Sequence, residues 1–238
     1  MQIMLALVTV AALAGGGMIA VDAEHNAAPL VKVDYLTDQS QLAPQRLVIA
    51  IDISKSNPLI DDTAFAQKVA ARVGDEVRKL GFASEVHVRT FGSYDANNFQ
   101  YDQVLSVRNR PDHVAAEVEK LIAGTPYLVK SGKWHAQDNT NILALLDNVS
   151  QAIGCARLPT TVILASDGIE DSEYARLERD TSHLPSPEGR PFAGCAELQI
   201  LGIGVGTGSP TETVRLRSEW SRWAREAGFA RFSGLNDW

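Results

Sequence analysis

Three short runs in this chain are apolar at nearly every position: LVIAIDI at 47–53, TVILA at 161–165 and LQILGIGV at 198–205. A strand with one face in water alternates apolar and polar residues, so a run without alternation must be covered on both faces. Between these runs the spacing becomes helical. Phe65, Val69, Val73, Val77 and Leu80 recur every three or four residues and lead to Gly81 as the cap. Val114, Val118, Leu121 and Ile122 follow Pro111 and stop at Gly124; Ile142, Leu146, Val149 and Ile153 stop at Gly154. Ser209-Pro210-Thr211-Glu212 has the form of a capping box with proline at the first helical position, and its helix carries Leu216, Trp220, Trp223, Ala224 and Ala227 on one stripe. Residues 85–91 alternate as a strand and 229–232 read as a last one. The alternation predicts an α/β fold, a three-layer, doubly wound, mainly parallel sheet with helices on both faces. In open sheets of this kind, ligands bind beyond the carboxyl ends of the strands.

The first 21 residues contain no charged side chain, and as a helix they would reach about 30 Å, enough to span a bilayer. They read as a secretory signal or as a membrane anchor. Val21-Asp22-Ala23 offers a cleavage position, while no lysine or arginine precedes the apolar run. The expected organisation is a signal or anchor at 1–23, a linker at 24–45 with one short apolar patch at 30–33, and a single domain at 46–238. Export to the periplasm or the extracellular space follows, with membrane attachment if the segment stays uncleaved. With 22 Lys and Arg against 29 Asp and Glu, the net charge of -7 argues against nucleic acid, whose phosphates need clustered cations. Cys155 and Cys195 precede the second and third apolar runs. If those strands are neighbours in a parallel sheet, both thiols share one edge and pair in an oxidising compartment, tethering the Pro- and charge-rich stretch 172–194. Two separate free thiols are the alternative.

Chemistry gathers where the strands end. The first run leads into Asp52-Ile53-Ser54-Lys55-Ser56, a carboxylate and two hydroxyls at alternate positions. TVILA ends in Ser166-Asp167-Gly168, and Asp138-Asn139-Thr140-Asn141 precedes the third helix. Hard oxygen donors in this number suit Mg2+. The order of these residues resembles the von Willebrand factor type A domain and its metal-ion-dependent adhesion site, over residues 45–235. The resemblance implies a metal set of Asp52, Ser54, Ser56, Thr140 and Asp167, with Ser131 as the alternative to Thr140. It also implies Mg2+ or Mn2+ as the ion, and a protein partner that supplies an Asp or Glu carboxylate to it. Each residue also has a plain structural role open to it: Asp52 and Ser54 as helix caps, Thr140 as the cap of the third helix, Asp167-Gly168 as a turn.

The expectation is therefore an exported, metal-dependent adhesion or assembly domain that is not an enzyme. A metal-dependent hydrolase acting on phosphoryl or ester groups through the same acidic site is the alternative. Phosphatases with an aspartyl nucleophile need a second Asp where this chain has Ser54. The glycine run LGIGVGTGSP fails every G-x-G-x-x-G register at Thr207, Ser209 and Thr211, and no G-x-S-x-G elbow is present. Trp134, ahead of Thr140, is a candidate for the partner-facing rim; Trp220 and Trp223 read as core.

Overall fold

The computed structural model describes residues 42–93, 100–108 and 110–238; the expected signal or anchor (1–23) and the linker up to residue 41, with its apolar patch, lie outside them. Among the described residues, strands β1 (Arg46–Asp52), β2 (Glu85–Phe91), β3 (Asp102–Ser106), β4 (Thr160–Ala165), β5 (Glu197–Leu201) and β6 (Arg231–Leu235) form one sheet in the order β3-β2-β1-β4-β5-β6. Every pairing is parallel except that of β2 with β3. The helices are α1 (Thr63–Arg78), α2 (Pro111–Ala123), α3 (Thr125–Lys130), α4 (Ile142–Ala152) and α5 (Pro210–Ala227). No helix of the described residues is long and apolar enough to cross a membrane.

β1 shows why an unbroken apolar run was required. All seven of its residues are buried. Leu47, Ile49 and Ile51 belong to one apolar cluster with Val69, Val73 and Val77 of α1 and Val114, Val118 and Ile122 of α2. Val48 and Ala50 belong to another, with Leu146 and Val149 of α4 and Leu216, Trp220 and Ala224 of α5. Alternate side chains of a strand point to opposite faces, so β1 contributes to both clusters. The expected core residues of α5 are all buried, and Ser209 caps the helix: its side chain accepts from the Glu212 N–H at 3.3 Å. The Glu212 carboxylate pairs with Arg215 and the Ser209 N–H donates to the Thr207 hydroxyl, so the reciprocal half of the capping box does not form.

Some elements differ from expectation. α1 ends at Arg78 with Lys79 as its cap, ahead of Gly81. Gly81 is small for another reason: a Cβ there would stand 2.5 Å from the carbonyl oxygen of Leu42. The run at 198–205 is strand only to Leu201. Beyond it Gly202 and Gly204 take φ of 115° and 73°, so the chain turns instead of continuing. β3 and α3 carry no strong periodic signal; β3 is an edge strand whose residues are mostly exposed.

Cys155 and Cys195 form a disulfide, with Cα atoms 5.0 Å apart. The pairing follows from the parallel register of β4 and β5, in which Thr161 faces Glu197 and both cysteines lie at the strands' N-terminal ends.

Candidate metal centre

The order of the parallel strands reverses at β1, which has β2 on one side and β4 on the other. Beyond such a reversal, neighbouring connections leave the sheet on opposite faces and a crevice opens at the carboxyl ends. Asp52 is the last residue of β1, and Ser166 and Asp167 follow the end of β4. All three are buried, at 0 to 1% exposure.

The two carboxylates are held differently. Asp52 Oδ1 accepts from the Ser54 N–H at 2.8 Å, and its Oδ2 accepts from the Ser166 hydroxyl at 2.7 Å. Asp167 Oδ1 accepts from the Ile169 N–H at 2.9 Å, while Oδ2 is buried with no hydrogen-bond partner. Burial pushes the Asp52 carboxyl up to about 6, against the lowering effect of the Ser166 and Ser54 hydrogen bonds. Burial, and next to it the charge of Asp52, pushes Asp167 up to about 7. The Ser54 and Ser56 hydroxyls lie 3.3 Å apart in the same turn, and the Ser56 side chain, beside the Asp167 carboxylate, acts to lower its pKa against burial.

Backbone pairing brings the Thr140 loop in. The N–H of Gln137 donates to the Ile53 carbonyl at 2.9 Å, and that of Lys55 donates to the Gln137 carbonyl at 2.8 Å. Thr140 is 2% exposed and exchanges backbone hydrogen bonds with Asp171 in the loop after β4. Lys55 and Asp138 form an exposed ion pair at 2.5 Å between the Asp52 turn and the Thr140 loop. The three segments that carry Asp52, Thr140 and Asp167 are thus joined at one end of the sheet. Ser131 stands outside this arrangement: it is exposed, and its hydroxyl donates to the Leu128 carbonyl as α3 ends.

The fit to a hard cation rests on the donors themselves. Two buried carboxylates lie at the turn of the Ser54 and Ser56 hydroxyls, and the Thr140 loop is joined to that turn by backbone pairing. One carboxylate oxygen is buried without a partner, and both carboxyls are disfavoured as free anions. Among the described residues no three His, Cys, Asp or Glu side chains cluster as a metal site, so any ion here would rely on the hydroxyls.

Three residues that sequence reasoning did not single out hold the site together. Asn57, 1% exposed, donates from Nδ2 to the carbonyls of Asp52 at 2.8 Å and Ala165 at 3.1 Å, pinning the ends of β1 and β4 together. Ser166 fixes the Asp52 carboxylate. Glu170 is fully buried; its Oε2 accepts from the N–H groups of Ile142 and Leu143 at 2.8 and 3.1 Å, and its Oε1 from the Ser172 hydroxyl at 2.5 Å. It caps α4 from outside the helix, beside the Asn141 side chain, which accepts from the Ala144 N–H. Burial pushes Glu170 up to about 7.

Gly168 takes φ of 74°, and its carbonyl accepts from Trp220 Nε1 at 2.7 Å. The Gly204 N–H donates to the Asp167 carbonyl at 2.8 Å, so the glycine turn after β5 braces the Asp167 loop. Trp134, expected at the rim, is instead 7% exposed and packs beside Tyr101 in the apolar cluster that covers β1. Its indole is too large to leave in water when an apolar face is adjacent.

No protein-family model matches the sequence, and no curated protein matches it. Among solved structures the chain is similar to a point mutant of the PilB minor pilin from Streptococcus sanguinis, with 11% identity and a TM-score of 0.49. The match covers 83% of this chain and 58% of the pilin, so the chain spans less than two thirds of that protein's length.

Proposed function

We propose that this is an exported domain that binds a protein partner through a divalent cation, Mg2+ or Mn2+, held by Asp52, Ser54, Ser56, Thr140 and Asp167. The observation that carries the proposal is the buried Asp167 Oδ2, which has no hydrogen-bond partner although it lies beside a second buried carboxylate. An unpartnered buried carboxylate oxygen is costly, and a cation is the partner that relieves both its desolvation and its repulsion from Asp52. When bound, the ion would supply an electrophilic position able to accept an outside carboxylate. The resemblance to the von Willebrand factor type A domain supports the same reading, as does the strand order around β1, which accords with the proposed three-layer, doubly wound arrangement. The disulfide supports an oxidising compartment, periplasmic or extracellular.

The test is thermal unfolding with Mg2+ and with EDTA, for the wild type and for Asp52→Ala. The expected result is a higher melting temperature with Mg2+ for the wild type and no difference for the variant. Equal melting temperatures for the wild type in both conditions overturn the metal site. Affinity capture with and without EDTA then tests the partner, and phosphate-ester turnover lost in Asp52→Ala would favour the hydrolase alternative.

A further inference from the structure

A second recess lies outside the carboxylate site, between α4, the loop after β4 and residues 185–192, with a volume of about 410 Å3. Its walls include Pro185, Pro187 and Pro191, and aromatic groups come from Tyr174, Phe192 and Trp223. Phe192 and Trp223 are buried with ring centroids 6.2 Å apart, whereas Tyr174 is 55% exposed. Two carboxylates, Asp147 and Glu188, also line the groove; both are exposed, and no lysine or arginine is among the lining residues. Among the described residues neither carboxylate has an ion-pair partner; Asp147 accepts only from the Gln151 amide, at 2.8 Å. We infer that this groove binds an extended peptide of a protein partner, one that sets a lysine or arginine against Asp147 and Glu188 and rests an adjoining apolar residue on Tyr174 and Trp223.

The groove is built in advance. Arg222 donates to the Leu184 carbonyl at 2.6 Å, and Glu219 accepts from the Leu184 N–H at 3.1 Å, so two side chains of α5 grip the start of the wall. Arg215 donates to the carbonyls of Leu177 and Ser182. At the other end the Phe192 N–H donates to the Ala227 carbonyl at 2.8 Å, and the Cys155–Cys195 disulfide closes the segment. Prolines between these anchors leave little backbone freedom to lose on binding. The charge decides the occupant: a groove lined by apolar groups and by two carboxylates without ion-pair partners selects a cation with an apolar neighbour, and aromatic faces attract the same groups. A cavity of this size holds about three residues of peptide.

This inference stands apart from the metal reading and is tested on the full chain in EDTA. The probes are acetyl-Pro-Phe-Arg-Pro-amide, its counterpart with Glu in place of Arg, and arginine amide alone, each followed by two-dimensional amide NMR. The expected result is a saturable shift of amides at 143–147, 174 and 186–192 with the arginine tetrapeptide, which binds at least about tenfold more tightly than either control. Asp147→Lys combined with Glu188→Lys, two exposed positions, weakens it by about tenfold. Raising the salt from about 0.05 to 0.3 M weakens it in the wild type, which keeps the inference testable if the variant unfolds. Equal binding of the Glu counterpart or of arginine amide, no localised shifts up to about 10 mM probe, or insensitivity to both charge reversal and salt overturns it.

Discussion

The Ser166 hydroxyl donates to Asp52 Oδ2 at 2.7 Å across the boundary between β4 and β1. With the Ser54 N–H on Oδ1, each Asp52 oxygen already has one donor, whereas Asp167 Oδ2 has none. The two carboxylates therefore differ in readiness: Asp52 is fixed by its neighbours, and Asp167 is the one with an oxygen still open.

Asp52, Asp167 and Glu170 are raised to about 6, 7 and 7 from ordinary values of 3.8, 3.8 and 4.5. A carboxyl that holds its proton more tightly when folded contributes stability that is full below its unfolded pKa and lost as the pH rises through its folded pKa. The metal-free protein should therefore become more stable between about pH 8 and about pH 5. Urea midpoints in EDTA check this, and a midpoint that falls over that range contradicts it. Saturating Mg2+ should flatten the share owed to Asp52 and Asp167, because a bound cation replaces the proton.

Asp167→Asn removes the like charge beside Asp52 and keeps the acceptor for the Ile169 N–H. The metal-free variant should be more stable than the wild type above neutral pH by about 1–3 kcal/mol, and Mg2+ should no longer raise its melting temperature. Calorimetry with Mg2+ and with EDTA reads both effects on one sample.

Glu170→Ala leaves the buried N–H groups of Ile142 and Leu143 without an acceptor and should cost about 2–3 kcal/mol. Glu170→Gln keeps a carbonyl in place, should cost less than half of that, and should shrink the pH dependence described above. Chemical denaturation at two pH values separates the two variants.

The disulfide joins residues 40 positions apart. In the chain-entropy model that closure is worth about 4 kcal/mol, which for a domain of this size is about 10 °C in melting temperature. Cys155→Ser with Cys195→Ser should lose that much. Its response to Mg2+ should be unchanged, because the bridge sits at the N-terminal ends of β4 and β5 and the carboxylates at the opposite ends.

How far the sequence was legible depended on whether a residue's role is local. The apolar runs at β1, β4 and β5, the helical stripe from Leu216 to Ala227 and the cap at Ser209 follow from neighbours within a few positions, and the sequence displays them. The strand-end rule brings the segments of Asp52, Thr140 and Asp167 to one edge, and the resemblance to the von Willebrand factor type A domain implies the set of five with Ser54 and Ser56. Asn57 and Glu170 could not be found in either way, since an amide that ties two strand ends and a carboxylate that caps a helix from another loop are defined by contacts far along the chain. Trp134 was misread for the same reason: nothing near it in sequence announces Tyr101. The glycines from Gly202 look like strand continuation by hydropathy alone, and only their positive φ shows the turn.

Asp52 and Ser166 are 114 positions apart, yet β1 and β4 lie side by side. During synthesis the first half of the carboxylate pair therefore exists long before its counterpart, and no partly made chain that stops short of β4 can hold both. On the proposed reading, a wild-type chain that responds to Mg2+ has joined its early and late halves, so the response would report completed assembly and not helix content alone.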